Sequence, residues 1–113
     1  MSKLTNFGTN VANNFNTTGG KQEVFIDPAT ILTFVSLVTE LVKLLKGCKK
    51  SPEDVVETAA RPSFADTHRL KAAVRRKIGF VQYWFHGDKI VAEVLKEAKK
   101  QSIEDIQEMY EEV

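Results

Sequence analysis

The chain has 113 residues, 42% of them hydrophobic and 27% charged, with a formal net charge of +1. That length suits one domain, and those fractions exclude a chain disordered throughout. A charge so near zero sets up no global field for nucleic acid or a membrane surface, and the single cysteine, Cys48, excludes an intramolecular disulfide and a zinc site built on several thiolates.

Residues 1–21 differ in composition from the rest of the chain. They hold five Asn, four Thr and three Gly, all weak helix formers. Yet Leu4, Phe7, Val11 and Phe15 are spaced by three, four and four, which places them on one helical face. Ser2 is a candidate N-cap and Gly19-Gly20 a candidate stop. Propensity and periodicity disagree here, so this segment reads as an extended or conditionally helical arm that orders when its aromatic residues dock. The first 20 residues lack the apolar core of a secretory signal, so cytoplasmic synthesis is expected.

Residues 22–26 (Gln-Glu-Val-Phe-Ile) are extended in character. Asp27-Pro28 then opens a helix, with Asp as cap and Pro at the first position, running to about Lys46 before Gly47. Ile31, Phe34, Val35, Val38, Leu41, Val42 and Leu45 form its main apolar face, widened by Leu32, Leu37 and Leu44. A helix apolar around most of its circumference is expected to be buried on several sides. The run 31–45 is too short to span a bilayer and is interrupted by Glu40 and Lys43, so no membrane span is expected.

Ser51-Pro52-Glu53-Asp54 is a second helix start, with Asp54 where a capping box needs an acid. That helix stops near Ala60, before Pro62. Ser63 and Asp66 repeat the pattern for a third helix, which buries Leu70, Ala73, Val74 and Ile78. Residues 80–85 read as a helical continuation past Gly79, because no second strong strand exists to pair with them. His86-Gly87-Asp88 reads as a break, followed by a helix from Asp88 to about Gln101. Ser102, with Asp105 three residues on, starts the last helix. The fold expected is therefore all-α: a bundle of about five helices over residues 27–113, preceded by an arm over residues 1–26.

No arrangement of residues carries recognisable chemistry. His68 and His86 have no neighbouring nucleophile or acid motif, and Cys48 beside Lys49 and Lys50 is at most mildly reactive. There is no HExxH, EF-hand loop, P-loop or GxGxxG, so no metal and no cofactor are expected, and the protein reads as a non-enzyme.

Charge is unevenly placed. From Arg61 to Lys77 there are six basic residues against one acid, Asp66, while the last helix carries Glu104, Asp105, Glu108, Glu111 and Glu112 and no Lys or Arg. These are either ordinary solvated faces, or a basic helix that meets the acidic helix of a neighbouring copy, or a phosphate-binding face using Arg69, Lys71, Arg75 and Arg76. Residues 53–60 and 66–78 are conceivable as a helix-turn-helix, but Arg61-Pro62-Ser63 lacks the turn glycine. The aromatic cluster Phe80, Tyr83, Trp84 and Phe85 suits core packing, an interface anchor or a stacking platform.

Organisation therefore favours assembly over catalysis. The sequence reads as a structural or assembly protein of a larger oligomer, with protein subunits as partners. Leu4, Phe7, Val11, Phe15, Phe25 and Trp84 are the candidate partner-binding residues. In organisation it resembles small virion or phage structural proteins, which pair a helical body with a polar arm; incorporation into a virion is what that resemblance implies. The alternative is a small nucleic-acid-binding regulator using the basic helix 64–78.

Overall fold

The computed structural model describes residues 2–18 and 28–113, and among these it is entirely helical, with six helices and no strand. They are α1 (Lys3–Thr18), α2 (Pro28–Gly47), α3 (Pro52–Ala60), α4 (Phe64–Ile78), α5 (Phe80–Ala98) and α6 (Ile103–Glu112). The expected cap at Asp27, the stop at Gly19-Gly20 and the extended segment 22–26 lie outside the described residues, as does Phe25. None of the described helices is long and apolar enough to cross a membrane.

Three helix starts form as their sequences specify. Ser51, Ser63 and Ser102 each accept the backbone N–H of the acid three residues on, at 3.1 Å, and Asp54, Asp66 and Asp105 each accept the N–H of their serine. Each box satisfies two donors that would otherwise face outward unpaired. At the end of α2 the turn differs in detail from expectation. Gly47 is the last helical residue, and Lys49 takes the left-handed conformation at φ 61°. It does so because the Lys50 N–H closes on the Leu45 carbonyl at 3.1 Å, the long bond of a Schellman ending.

The boundary between α4 and α5 corrects the reading of residues 79–88. Residues 80–85 are helical, but they open α5 rather than extend α4. Gly79 carries φ 90° and ψ 161°, a conformation open to glycine and strained for other residues, and it folds the two helices back on each other. Lys71 and Asp88, on either side of that glycine, pair at 3.4 Å, so α4 and α5 run antiparallel. The break expected at His86-Gly87-Asp88 does not form. Gly87 is buried inside α5, where a methyl group would fall on the Tyr83 ring. Its role is close packing, a signal that resembles a turn glycine in sequence.

The arm takes the helical one of its two expected forms, and its aromatic residues dock on the chain's own helices. α1 is a helix of 16 residues packed on α2, α5 and α6. Leu4, Phe7, Val11 and Phe15 belong to the same buried cluster as Leu37, Val38, Leu41, Val74, Ile90 and Met109. Apolar periodicity outweighs weak propensity here because tertiary burial supplies most helix stability in proteins. The start of α1 is also tied down by hydrogen bonds. Thr5 N–H donates to Ser2 Oγ at 3.0 Å, and Lys3 and Leu4 N–H donate to the Glu112 carboxylate at 3.0 and 3.3 Å. That carboxylate sits where the helix dipole favours an anion.

Lys3 Nζ also meets Asp105 Oδ1 at 2.9 Å, joining α1 to α6. This contact raises the Lys3 pKa, and the hydrogen bond from Lys3, followed by that from Ser102, holds Asp105 below the usual carboxylate range. Asp66 is likewise lowered, first by its bond with Ser63 and then by Lys50 and Arg69. The stability these two carboxylates contribute is complete above the unfolded value of about 3.9. It is lost as pH falls through their lowered folded values. Denaturant unfolding followed between about pH 6 and 3 should therefore show a falling midpoint, with a shallower fall in Asp105→Asn; an unchanged slope in that variant would remove the link.

Candidate functional site

The cavities among the described helices are mostly apolar, apart from a groove of about 300 Å³ lined by Glu40, Ala73, Arg76 and Lys77. An apolar cavity of about 60 Å³ lies at the centre, lined by residues that include Phe7, Leu41, Leu70, Met109 and Tyr110. Burial pushes the Tyr110 hydroxyl pKa up, and that hydroxyl donates to the Lys50 carbonyl at 2.7 Å, which anchors α6 to the turn before α3. A second, more open groove of about 470 Å³ has Phe15, Phe34, Leu37 and Ile90 among its lining, with Lys77, Gln82 and His86 also present. His86 is half-buried with its ring edge-on to Phe15 at 5.5 Å, and His68 is exposed beside the Phe64 ring. Cys48 is exposed and free. Among the described residues no group of three His, Cys, Asp or Glu side chains could hold a metal ion.

The surface is more informative than the interior. At the start of α5 four large apolar side chains stand in solvent: Phe80 at 65% exposure, Val81 at 65%, Trp84 at 74% and Phe85 at 72%. Their spacing explains the shape. Phe80 and Trp84 are one turn apart, as are Val81 and Phe85, so two parallel pairs form a ridge along the helix. The Phe80 and Trp84 rings lie 6.2 Å apart. The inward side of the same turn is taken by Tyr83 and Gly87, so this part of the helix is apolar on its outer face as well. Exposed apolar residues scattered singly need no explanation, but a contiguous group of this size does.

Basic residues precede the ridge in the chain, across Gly79. The last turn of α4 carries Arg75, Arg76 and Lys77, all exposed and none in an ion pair among the described residues. The other two residues of the basic set are partly neutralised, since Arg69 meets Asp66 at 3.8 Å and Lys71 meets Asp88 at 3.4 Å. The conceivable helix-turn-helix does not gather as a unit: α3 packs chiefly on α6 and α5, and α4 chiefly on α5.

Of the residues read from sequence as partner-binding, the structure thus separates two sets. Leu4, Phe7, Val11 and Phe15 are consumed by the chain's own core and present no apolar face in this conformation. Trp84 is exposed, and Phe80, Val81 and Phe85 join it. Sequence reasoning had the aromatic cluster but not its orientation, because an apolar run at a helix start suits either side of a helix.

A buried pair of acids escaped the sequence reading entirely. Glu93 and Glu97, one turn apart on α5, are each only 4% exposed. Glu97 accepts the side-chain amides of Asn10 at 3.1 Å and Asn14 at 3.3 Å from α1, and Lys100 stands 3.7 Å away. Glu93 has one carboxylate oxygen, Oε1, with no hydrogen-bond partner. The Asn-rich face of α1 was the available signal, since amides on a docked helix need acceptors. A buried polar atom left unsatisfied costs about 1–3 kcal/mol. Glu93→Met, which keeps the volume and removes the polar atoms, should raise the unfolding free energy by a similar amount, about 1–3 kcal/mol. Urea unfolding of the two proteins decides it, and a loss of stability would mean that the carboxylate has a partner.

The fold and surface define an all-α helical domain with an exposed aromatic ridge at the start of α5. No protein family, characterised protein or solved structure matches the chain.

Proposed function

We propose that this chain is a non-enzymatic structural or assembly protein of a larger oligomeric complex, such as a virion or phage particle, and that it docks on protein subunits through the α5 ridge. The observation that carries this reading is the ridge itself: Phe80, Val81, Trp84 and Phe85 at 65–74% exposure on a rigid helix. Trp is enriched at the energetic centre of protein interfaces. Held on a helix that packs on α4, the ridge loses little freedom on binding. The arm reading changes accordingly, with α1 as scaffold and α5 as the contact.

A photo-crosslinking residue placed at position 84 in the producing cell tests this. Covalent capture of a defined protein subunit is expected. Capture of nucleic acid or lipid alone, or of nothing, would overturn the proposal.

A second reading, a nucleic-acid-binding regulator, rests on Arg75 and Arg76, exposed and outside the ion pairs of the described residues, together with the exposed rings at the start of the next helix, since basic and aromatic side chains bind phosphates and stacked bases. Each phosphate contact makes affinity fall with salt, so a DNA titration whose affinity is flat in salt would remove it.

A further inference from the structure

The docking ridge has a matching surface elsewhere on the same molecule. On α6, Glu104, Glu108 and Glu111 follow at spacings of four and three, on one helical face. All three are exposed, and none is in an ion pair among the described residues. Ile103, 42% exposed, stands at the start of that helix. Asp105 and Glu112, the other two acids, are already engaged with Lys3 and with the start of α1. The acids of α6 outside ion pairs and the cations of the last turn of α4 are thus equal in number and opposite in sign.

Their placement keeps them from meeting within one chain. α1 measures the separation: its Lys3 end touches α6 and its Phe15 end touches His86 of α5. Twelve helical steps of 1.5 Å put about 18 Å between those ends. Neither surface overlaps the other, so one copy can use both at once.

Resting on the docking reading above, we propose that the partner at the ridge is a second copy of this chain, whose α6 acidic face seats against Arg75, Arg76 and Trp84. Pairing of ridge with ridge is disfavoured, because it would bring Arg75, Arg76 and Lys77 of both copies together. Area argues the same way. Four apolar side chains about two-thirds exposed offer roughly 500 Å², less than the roughly 800 Å² per partner of a stable interface. The ridge therefore needs the added charge contacts that α6 supplies. A contact between two different surfaces is heterologous, and it continues from copy to copy as a ring or an open chain.

Paired charge reversals test this with the full chain. Arg75→Glu/Arg76→Glu puts acid at both surfaces, and Glu104→Lys/Glu108→Lys puts base at both. Light scattering of the purified wild type should show a mass that rises with protein concentration and falls with salt. Each double variant alone should stay monomeric with an unchanged helical circular dichroism spectrum. Their equimolar mixture should recover assembly, to at least about twice the monomer mass, since the two variants meet through opposite charges. Trp84→Ser should also abolish assembly, and Trp84→Phe should retain it. A wild type that is monomeric at every concentration and salt overturns the inference, as does assembly that survives either reversal alone. If the purified chain is monomeric while position 84 still crosslinks to a different protein in cells, self-assembly fails and the docking reading stands.

Discussion

Phe7→Ala should lower the unfolding free energy by about 3–5 kcal/mol, the range for emptying a buried aromatic site. Phe7 is 7% exposed and lines the central cavity together with residues from α2 to α6. Truncation would enlarge a void that already exists, and the surrounding helices can close on it only in part because the interior is close-packed. Total stability for a domain of this size is about 5–15 kcal/mol, so the variant should lose a fifth or more of it. The comparison that gives this meaning is Phe85→Ala, at a site 72% exposed, which should change stability by no more than about 0.5 kcal/mol. Thermal and urea unfolding of the two variants separate the roles of the two phenylalanines. Equal, small effects would show that α1 is a detachable arm after all.

Gly8→Ala should destabilise by about 1–3 kcal/mol, the usual cost of overpacking. In an exposed helix the same change would gain roughly 1 kcal/mol from propensity. The sign reverses here because a Cβ at position 8 would lie 2.6 Å from the Val35 Cα and 2.8 Å from its Cγ2. The first of these is backbone, which cannot rotate aside. To fit, α1 and α2 must move apart along their whole contact, loosening Phe7, Val11 and Phe15 together. Gly8→Ala should also speed proteolysis within residues 3–18, since local opening sets the cleavage rate. A gain in stability would mean that α1 and α2 are farther apart than their packing indicates.

Much of the helical framework was legible because the signals are local. A Ser-x-x-Asp box specifies a helix start from four residues, and three of them formed at Ser51, Ser63 and Ser102. Phe34, Val38, Leu41 and Val42 of α2 and Leu70, Ala73 and Val74 of α4 followed from a period of 3.6 for the same reason, while Leu32, read as widening the α2 face, is exposed. The two glycines at 79 and 87 could not be told apart locally. One ends a helix through its backbone angle, and the other makes room for a ring one turn away. Both look like a small residue beside aromatic and polar neighbours until the path of the chain is known.

The candidate site was legible in composition and illegible in direction. The aromatic cluster at 80–85 and the polarised charge are plain in the sequence, but which way Trp84 points depends on where α4 lies. Glu93 and Glu97 were invisible for a related reason. Glutamates on an amphipathic helix normally face water, and only the Asn10 and Asn14 amides of a helix more than 80 residues earlier give Glu97 a reason to be buried.

By itself the sequence determined the helical class, the capped starts and the division of charge, since each depends on residues within a few positions of one another. Tertiary structure alone decided which apolar face was used up. Leu4, Phe7, Val11 and Phe15 had the pattern of a docking helix, and the chain's own core took them. Phe80, Val81, Trp84 and Phe85 had the composition of a core, and they were left outside. The two groups are chemically alike, and a period-3.6 pattern says only that a face will be buried. What buries it is settled by the free energy of competing long-range contacts, which no local spacing records.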